Sequence, residues 1–416
     1  MKEKLRILIE KILRKLAIKI LKKHRPEIIG ITGTVGKTSV KEAVSYLLSK
    51  KYDVYAASGS YNSAIGVPLA IIQAENPKQI FNIFSWLLIF IKAILKLWYK
   101  NYPKILILEM GVDKPQDMEY LTSFIKPKIS VITAITPVHM ANFPSIKELE
   151  KEKLEILNAT QELAIINEDQ VNIKKSPVPV LPYGKSGEIS YKLEKIAVDG
   201  TVFKINLGKH TAEFKTKTVG EHSIYNIMAA VGVGYKYGFT IDEMATLFRD
   251  FRAYKGRMSP LNGAKESFII DDSYNSSPES VKAAILTVDN FPGRKILALG
   301  SMNELGKMSE EVHREIGDLA FKVADILITV GDEANHFIAG EALKRGMTID
   351  NVHTFIDSKD AGIYLKTILK KGDIVLAKGS QNKIFMEEFV KQILKNKNDE
   401  KYLVRQDKFW AKKKLI

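Results

Sequence analysis

Eight short apolar runs punctuate the chain: EIIGIT, KILILEMG, ISVITAIT and LAIINED in the first half, then SFIIDDSY, KILALGSM, DILITVGD and DIVLAKGS in the second. Each gives way to an amphipathic stretch, so strands alternate with helices. Strands arranged in that way pair in parallel, and a parallel sheet needs helices on both faces. The expected fold class is therefore α/β with mostly parallel sheet. The alternation breaks near RAYKGRMSPLNGAKES, where Gly256, Pro260 and Gly263 cluster, which predicts a domain boundary at residue 257. At 416 residues the chain is long enough for two or three domains, each burying its own core.

The first run opens the stretch IIGITGTVGKTSVKEAV, Ile28 to Val44. A strand ends at Thr32, and Gly30, Gly33 and Gly36 let backbone N–H groups turn inward. A helix then begins near Thr38 with its positive end toward a bound anion. Lys37 is placed to reach the β- and γ-phosphates of a nucleotide, and the Thr38 hydroxyl to ligate Mg²⁺. The spacing is G-x-x-G-x-x-G-K-T rather than G-x-x-x-x-G-K-[ST], whose first glycine would fall at Ile31.

Net charge narrows the partners. With 63 Lys+Arg against 48 Asp+Glu the chain carries +15, which favours a nucleotide, an acidic sugar precursor, nucleic acid or a phospholipid surface. No aromatic-basic reading module is apparent, so nucleic acid is not an expected partner. The chain has no cysteine, which excludes a disulfide framework, Cys-ligated zinc and a thiol nucleophile. Any metal sits on O and N ligands. The N-terminal segment lacks a continuous apolar region and a small-residue cleavage site, so a cytoplasmic protein is expected.

Two segments stand apart. MKEKLRILIEKILRKLAIKILKK places Leu5, Leu8, Ile9, Ile12, Leu13, Leu16 and Ile20 on one helical face, with lysines and arginines largely opposite. FNIFSWLLIFIKAILKLWYKNYP, Phe81 to Pro103, has an apolar run only from Ile83 to Ile91, short of the roughly 20 residues that span a bilayer. Its lysines at 92, 96 and 100 and its aromatics Trp86, Trp98 and Tyr99 suit an interfacial helix. For both segments the alternatives are an anchor on the inner face of an anionic membrane or a helix packed on protein.

GITGTVGKTSVKE, SYNSAIGVPLA, ILEMG, VITAITPVHMANFPSIKELEKEKLEIL, VGEHSIYNIMAA, YKGRM, IDDSYNSSPES and LGSMNELG follow one another in the order found in the Mur ligases, and the chain resembles that family from about Ile28 to about Leu394. The resemblance implies an ATP-binding central domain over 28–256 and a Rossmann-like C-terminal domain over 257–416; the basic helix over residues 1–27 and the apolar insertion at 79–103 are read from their own pattern and lie outside it. It also implies cell-wall chemistry. ATP converts a substrate carboxylate to an acyl phosphate, which an amine such as D-alanyl-D-alanine displaces to leave an amide, ADP and phosphate.

By resemblance, Gly33, Thr34, Gly36, Lys37, Thr38 and Ser39 hold the ATP phosphates, Glu109 is a magnesium carboxylate and His139 a ligand of a second Mg²⁺. Lys153 matches the lysine that carries a carbamate, a change that turns a cation into a metal ligand; Lys151 is the alternative. Asn226 resembles an adenine contact, and Arg257 and Asp272 resemble residues that bring the C-terminal domain onto the nucleotide, completing the site on domain closure and excluding water from the acyl phosphate. Asn62, Ser63, Asn275 and Lys378 are the expected substrate contacts.

The chain departs from the family pattern in places. Ala134 and Thr136 replace Asn and Gly before His139, Ser63 follows Asn62 where a second Asn is usual, and Ser277 replaces the Asn of YNANP. Only about 27 residues precede the first strand, too few for the domain that grips UDP. A precursor held by lipid rather than by UDP is consistent with that. Another acceptor, such as a polyglutamate or other polymer, and a membrane-associated P-loop NTPase are the competing readings.

Overall fold

The computed structural model describes residues 2–59, 61–77, 83–136, 142–173, 175–303, 305–381, 383–407, 410 and 414, with residues 2 and 3 by backbone alone. The chain forms two compact units, residues 1–193, 203–214 and 224–249 in one and residues 194–202, 215–223 and 250–416 in the other.

The first begins with helix α1 (Lys2–His24), strand β1 (Glu27–Thr32) and helix α2 (Lys37–Leu48). Then follow β2 (Val54–Ala56), α3 (Gly66–Ile72), α4 (Ile83–Lys96), β3 (Ile105–Glu109), α5 (Asp117–Thr122), β4 (Ile129–Ile132), α6 (Ile146–Leu154), β5 (Leu163–Asn167) and β6 (Val180–Gly184). Strands β7 (Ile189–Ala197), β8 (Gly200–Leu207) and β9 (His210–Thr216) precede α7 (Glu221–Lys236) and α8 (Ile241–Phe248). The nine strands form one sheet in the order β2-β3-β1-β4-β5-β6-β7-β8-β9, and β1 pairs in parallel with both β3 and β4. Chain order reverses beside β1. In open α/β sheets ligands bind at such a switch point, beyond the carboxyl ends of the strands.

The second unit contains β10 (Ser259–Asn262), β11 (Phe268–Asp272), α9 (Pro278–Asp289), β12 (Lys295–Gly300), α10 (Ser309–Val323) and β13 (Ile326–Val330), followed by α11 (Gly340–Lys344), β14 (Val352–Phe355), α12 (Ser358–Ile368), β15 (Ile374–Lys378) and α13 (Met386–Ile393). Its sheet runs β10-β11-β15-β12-β13-β14, parallel except where β10 meets β11. The α/β class expected from the alternation is the class observed, and each of the eight apolar runs supplies a strand.

Helix α1 does not offer its apolar stripe to a lipid. Ile9, Leu13, Ala17 and Ile20 are buried in one cluster with Leu69 to Ile72 of α3 and with Trp86, Ile89 and Ala93 of α4, while Leu5 and Leu16 pack against its margin. Leu8, expected on that stripe, is exposed. At its carboxyl end His24 stacks on Tyr102 and its Nε2 meets the Lys96 carbonyl at 2.8 Å. The anchor reading of this helix is therefore corrected: water is already excluded from its stripe by protein. Helix α4 is the reverse case, since only Trp86, Ile89 and Ala93 of it are buried.

Because Leu13 is fully buried between helices, Leu13→Ala should cost about 2–5 kcal/mol of unfolding free energy, read as a lower urea midpoint at unchanged m. A change below about 1 kcal/mol would mean that α1 is not part of this core.

Candidate active site

The site is built on the turn after β1. Gly33 has φ 139° and Gly36, at the start of α2, has φ 89°. A Cβ on Gly33 would lie 2.0 Å from the Thr133 hydroxyl, so only glycine lets the loop approach the segment after β4. That approach is pinned by Thr34 N–H donating to the Ala134 carbonyl at 2.6 Å and by the Thr133 hydroxyl donating to the Val35 carbonyl at 2.6 Å.

Lys37, the first residue of α2, donates to the carbonyls of Gly33 at 2.9 Å and Thr34 at 3.0 Å, which holds its ammonium against the loop. The Thr38 hydroxyl donates to Glu109 Oε2 at 3.0 Å, and Asn62 Nδ2 donates to Glu109 Oε1 at 3.2 Å. Glu109 is the last residue of β3, adjacent to β1 in the sheet, and its carboxylate is buried. A hydroxyl and a carboxylate beside a phosphate-binding turn are the all-oxygen donors that Mg²⁺ takes, with water and phosphate filling its remaining positions, so these residues fit that ion. Among the described residues no group of three or more His, Asp or Glu side chains converges on a metal-sized space. His139 lies outside the described residues.

Lys153 is near the carboxyl end of α6, whose start is capped by the Ser145 hydroxyl accepting from Glu148 N–H. Glu152 accepts from the backbone N–H groups of Gln116 and Met118, tying the helix to the start of α5. Lys153 is buried and donates to the Gly33 carbonyl at 3.2 Å, whereas Lys151 is exposed. Burial, reinforced by the nearby Lys37 charge, pulls the Lys153 ammonium down from 10.5 to about 7. The Asn226 amide oxygen would be 3.1 Å from a Cβ on Gly36, which puts α7 beside the mouth of the loop. Ser63, expected as a substrate contact, accepts from Gly66 N–H at 3.1 Å and so holds the turn into α3.

In the second unit a separate cluster gathers at the carboxyl ends of β11 and β15, where Asp272 and Lys378 are register partners. Lys378 pairs with Asp272 at 2.5 Å and donates to the Asn275 carbonyl at 3.1 Å, and Asp272 accepts from Met258 N–H at 3.1 Å. The Arg257 guanidinium lies 4.3 Å from the centre of the Tyr274 ring. Its Nε is buried with no hydrogen-bond partner. Asn275 enters this cluster by its main chain.

Sequence reasoning missed two supporting groups. Lys41, one turn beyond Lys37 on α2, is buried and donates to the carbonyls of Ala57 at 2.6 Å and Gly59 at 2.5 Å, anchoring the loop that leads to Asn62. Arg405 pairs with Glu387 at 2.7 Å and donates to the carbonyls of Ser273 and Tyr274, directly after Asp272. The spacing of Lys37 and Lys41 was the one signal available for the first. Nothing local marks the second.

The middle-domain model of the Mur ligases matches residues 31–84 and 88–234, and the model of the Mur ligase glutamate ligase domain matches residues 256–381. The UDP-N-acetylmuramoyl-tripeptide–D-alanyl-D-alanine ligase of Bacillus subtilis is 29% identical over 392 residues, covering 92% of this chain and 79% of its own. The crystal structure of MurF ligase from Thermotoga maritima in complex with ADP superimposes with a TM-score of 0.71 at 25% identity, over 92% of this chain and 84% of the other. A crystal structure of MurF from Acinetobacter baumannii, with a TM-score of 0.73 at 21% identity over 89% of this chain and 77% of its own, shares the fold.

The lowered proton affinity of Lys153 ties stability to pH. Below about pH 7 the folded and unfolded chains both carry the proton. Between about 7 and 10.5 only the unfolded chain binds it, so stability conferred by this residue rises with pH across that window. In CO₂-free buffer the wild type should therefore gain stability relative to Lys153→Met between pH 6.5 and pH 9.5, by thermal or urea unfolding. A difference independent of pH would place an ordinary, solvated ammonium at Lys153.

Proposed function

The chain belongs to the Mur ligase family and is an ATP-dependent ligase, and we propose that it joins D-alanyl-D-alanine to the peptide of a muramoyl-tripeptide precursor. The observation that carries this reading is the gathering of Lys37, Thr38, Glu109 and Lys153 around one glycine turn. The N-terminus of α2, directly after the glycine turn, favours the phosphates. Lys37 exchanges its two carbonyl partners for phosphate oxygens and stabilises charge as the γ-phosphoryl group is transferred. Thr38 and Glu109 would hold a Mg²⁺ ion, which would supply further neutralisation of the polyphosphate, and a second ion would draw on His139 and Lys153.

The reaction balances in two steps. The terminal carboxylate of the tripeptide attacks the γ-phosphorus, forming the acyl phosphate and releasing ADP. The amine of the dipeptide then attacks the acyl carbon, and phosphate leaves as the nitrogen gives up its proton, forming the amide.

Lys153 has a defined part in this reading. An amine whose proton affinity is lowered to about 7 has a substantial neutral fraction near neutral pH, and the neutral form can add CO₂ to give a carbamate and a proton, whereas an ordinary ammonium cannot. The carbamate would place an anion beside Lys37 and the phosphate turn, where the buried lysine had at most a positive charge. Asn226 lies beside the turn and is the residue we assign to the nucleotide.

The test of the reaction uses the purified full chain with ATP, D-alanyl-D-alanine and either UDP-linked or lipid-linked muramoyl-tripeptide. Phosphate release should depend on both the dipeptide and an acceptor, and the product mass should be acceptor plus dipeptide less water. ATP turnover that neither substrate accelerates would overturn the assignment, and the acceptor that works identifies the carrier.

Two substitutions test the roles. Lys37→Ala should reduce ATP turnover by at least about 10²-fold without loss of fold. Lys153→Ala should nearly abolish amide formation and recover part of it when short-chain carboxylic acids are added. If Lys153→Ala keeps parental activity, the carbamate assignment is wrong.

A further inference from the structure

Helix α4 presents the wrong face to water. Its buried residues are Trp86, Ile89 and Ala93, while Phe84, Leu87, Leu88, Ile91, Leu95 and the following Trp98 recur at three- and four-residue intervals on the exposed side. Phe84 is 78% exposed and Trp98 83%. A surface helix of a soluble protein turns its stripe inward, and a contiguous apolar face of this kind marks an interaction surface.

The charges around the face select its partner. From Asn76 to Leu108 the chain contains no Asp or Glu but has five lysines, at 78, 92, 96, 100 and 104. Lys92 and Lys96 bond to Gln73 on the flank of the helix, and Lys100 and Lys104 are exposed beyond its end. Helix α1, packed beside α4 in the same core, exposes Lys4, Lys11, Lys15, Lys19 and Lys22. A second copy meeting this face about a two-fold axis would set these cations against themselves, whereas an anionic bilayer complements them.

The helix cannot cross that bilayer. Its 14 residues extend about 21 Å, against about 30 Å of hydrocarbon, and among the described residues no helix is long and apolar enough to span. Its inner face is held by α1 and α3, so it can only lie along a surface, with Trp98 and Tyr99 at the depth that aromatic side chains favour. We infer that the exposed face of α4, flanked by these lysines, docks the enzyme on an anionic lipid surface. This stands apart from the ligase chemistry, which is assayed in solution.

The experiment is sedimentation of the full chain with phosphatidylcholine vesicles containing phosphatidylglycerol, compared with phosphatidylcholine alone. The protein should pellet with the anionic vesicles, be released only in part by high salt, and show a blue shift of tryptophan emission. The triple variant Leu88→Glu, Leu95→Glu, Trp98→Glu should bind at least about tenfold less while hydrolysing ATP in lipid-free buffer as the parent does. Protein left in the supernatant with anionic vesicles would overturn the inference, as would equal binding by the variant or equal binding to neutral vesicles. A wild-type dimer that the variant converts to monomer, with no vesicle binding by either, would also overturn it and assign the face to a second copy.

Discussion

The close approach of the loop after β1 to the segment after β4 sets the geometry of everything around the phosphate turn. Two short bonds, Thr34 N–H to the Ala134 carbonyl and Thr133 hydroxyl to the Val35 carbonyl, hold it, and the missing Cβ of Gly33 makes room for it. The turn in that position has its own carbonyls pointing inward, and Lys37 and Lys153 converge on the same one, that of Gly33. Burial of Lys153 there, reinforced by the neighbouring Lys37 charge, lowers its proton affinity. The lysine's altered chemistry is thus a result of where the turn sits.

Much of this was legible in the sequence. Eight apolar runs named eight strands, and Gly33, Gly36, Lys37 and Thr38 were placed from the strand-turn-helix order alone. What escaped was either short or balanced. Strand β2 has only three residues, and β14 is half-buried. The ribbon β7 to β9 alternates charged and apolar positions along strands joined by two-residue connections, a period-two pattern without the solid hydrophobic run that marks a parallel strand. Lys41 and Lys153 share a different difficulty. Each lies on an amphipathic helix where a lysine ordinarily faces water, and periodicity cannot tell a buried lysine from a solvated one. Lys153 was given a role through the family motif, and Lys41, although it stands within GITGTVGKTSVKE, was given none.

The two basic helices illustrate how one pattern resolves in opposite ways. Residues 1–23 and the segment after Ile83 both read as amphipathic with lysines on the flank. In α1 the stripe is sequestered by α3 and α4, and the charge is left to water. In α4 that same packing consumes only a narrow strip of Trp86, Ile89 and Ala93, so the wider part of its apolar surface remains outside. The first helix therefore contributes stability and the second a surface. The sequence of either alone does not decide which, because the decision depends on how much apolar area the neighbours can cover.

The bonds that assemble these sites run from a few side chains to main-chain oxygens: Lys41 to residues 57 and 59, Lys153 to 33, Thr133 to 35, Arg405 to 273 and 274. A main-chain oxygen is the same group whatever side chain accompanies it. Positions 57 and 59 can therefore drift through many residue types without loosening the Lys41 anchor, provided loop length and backbone path are kept. Selection falls on the donors and on spacing. An anchor of this kind is compatible with divergence as wide as the 29% identity between this chain and its Bacillus relative.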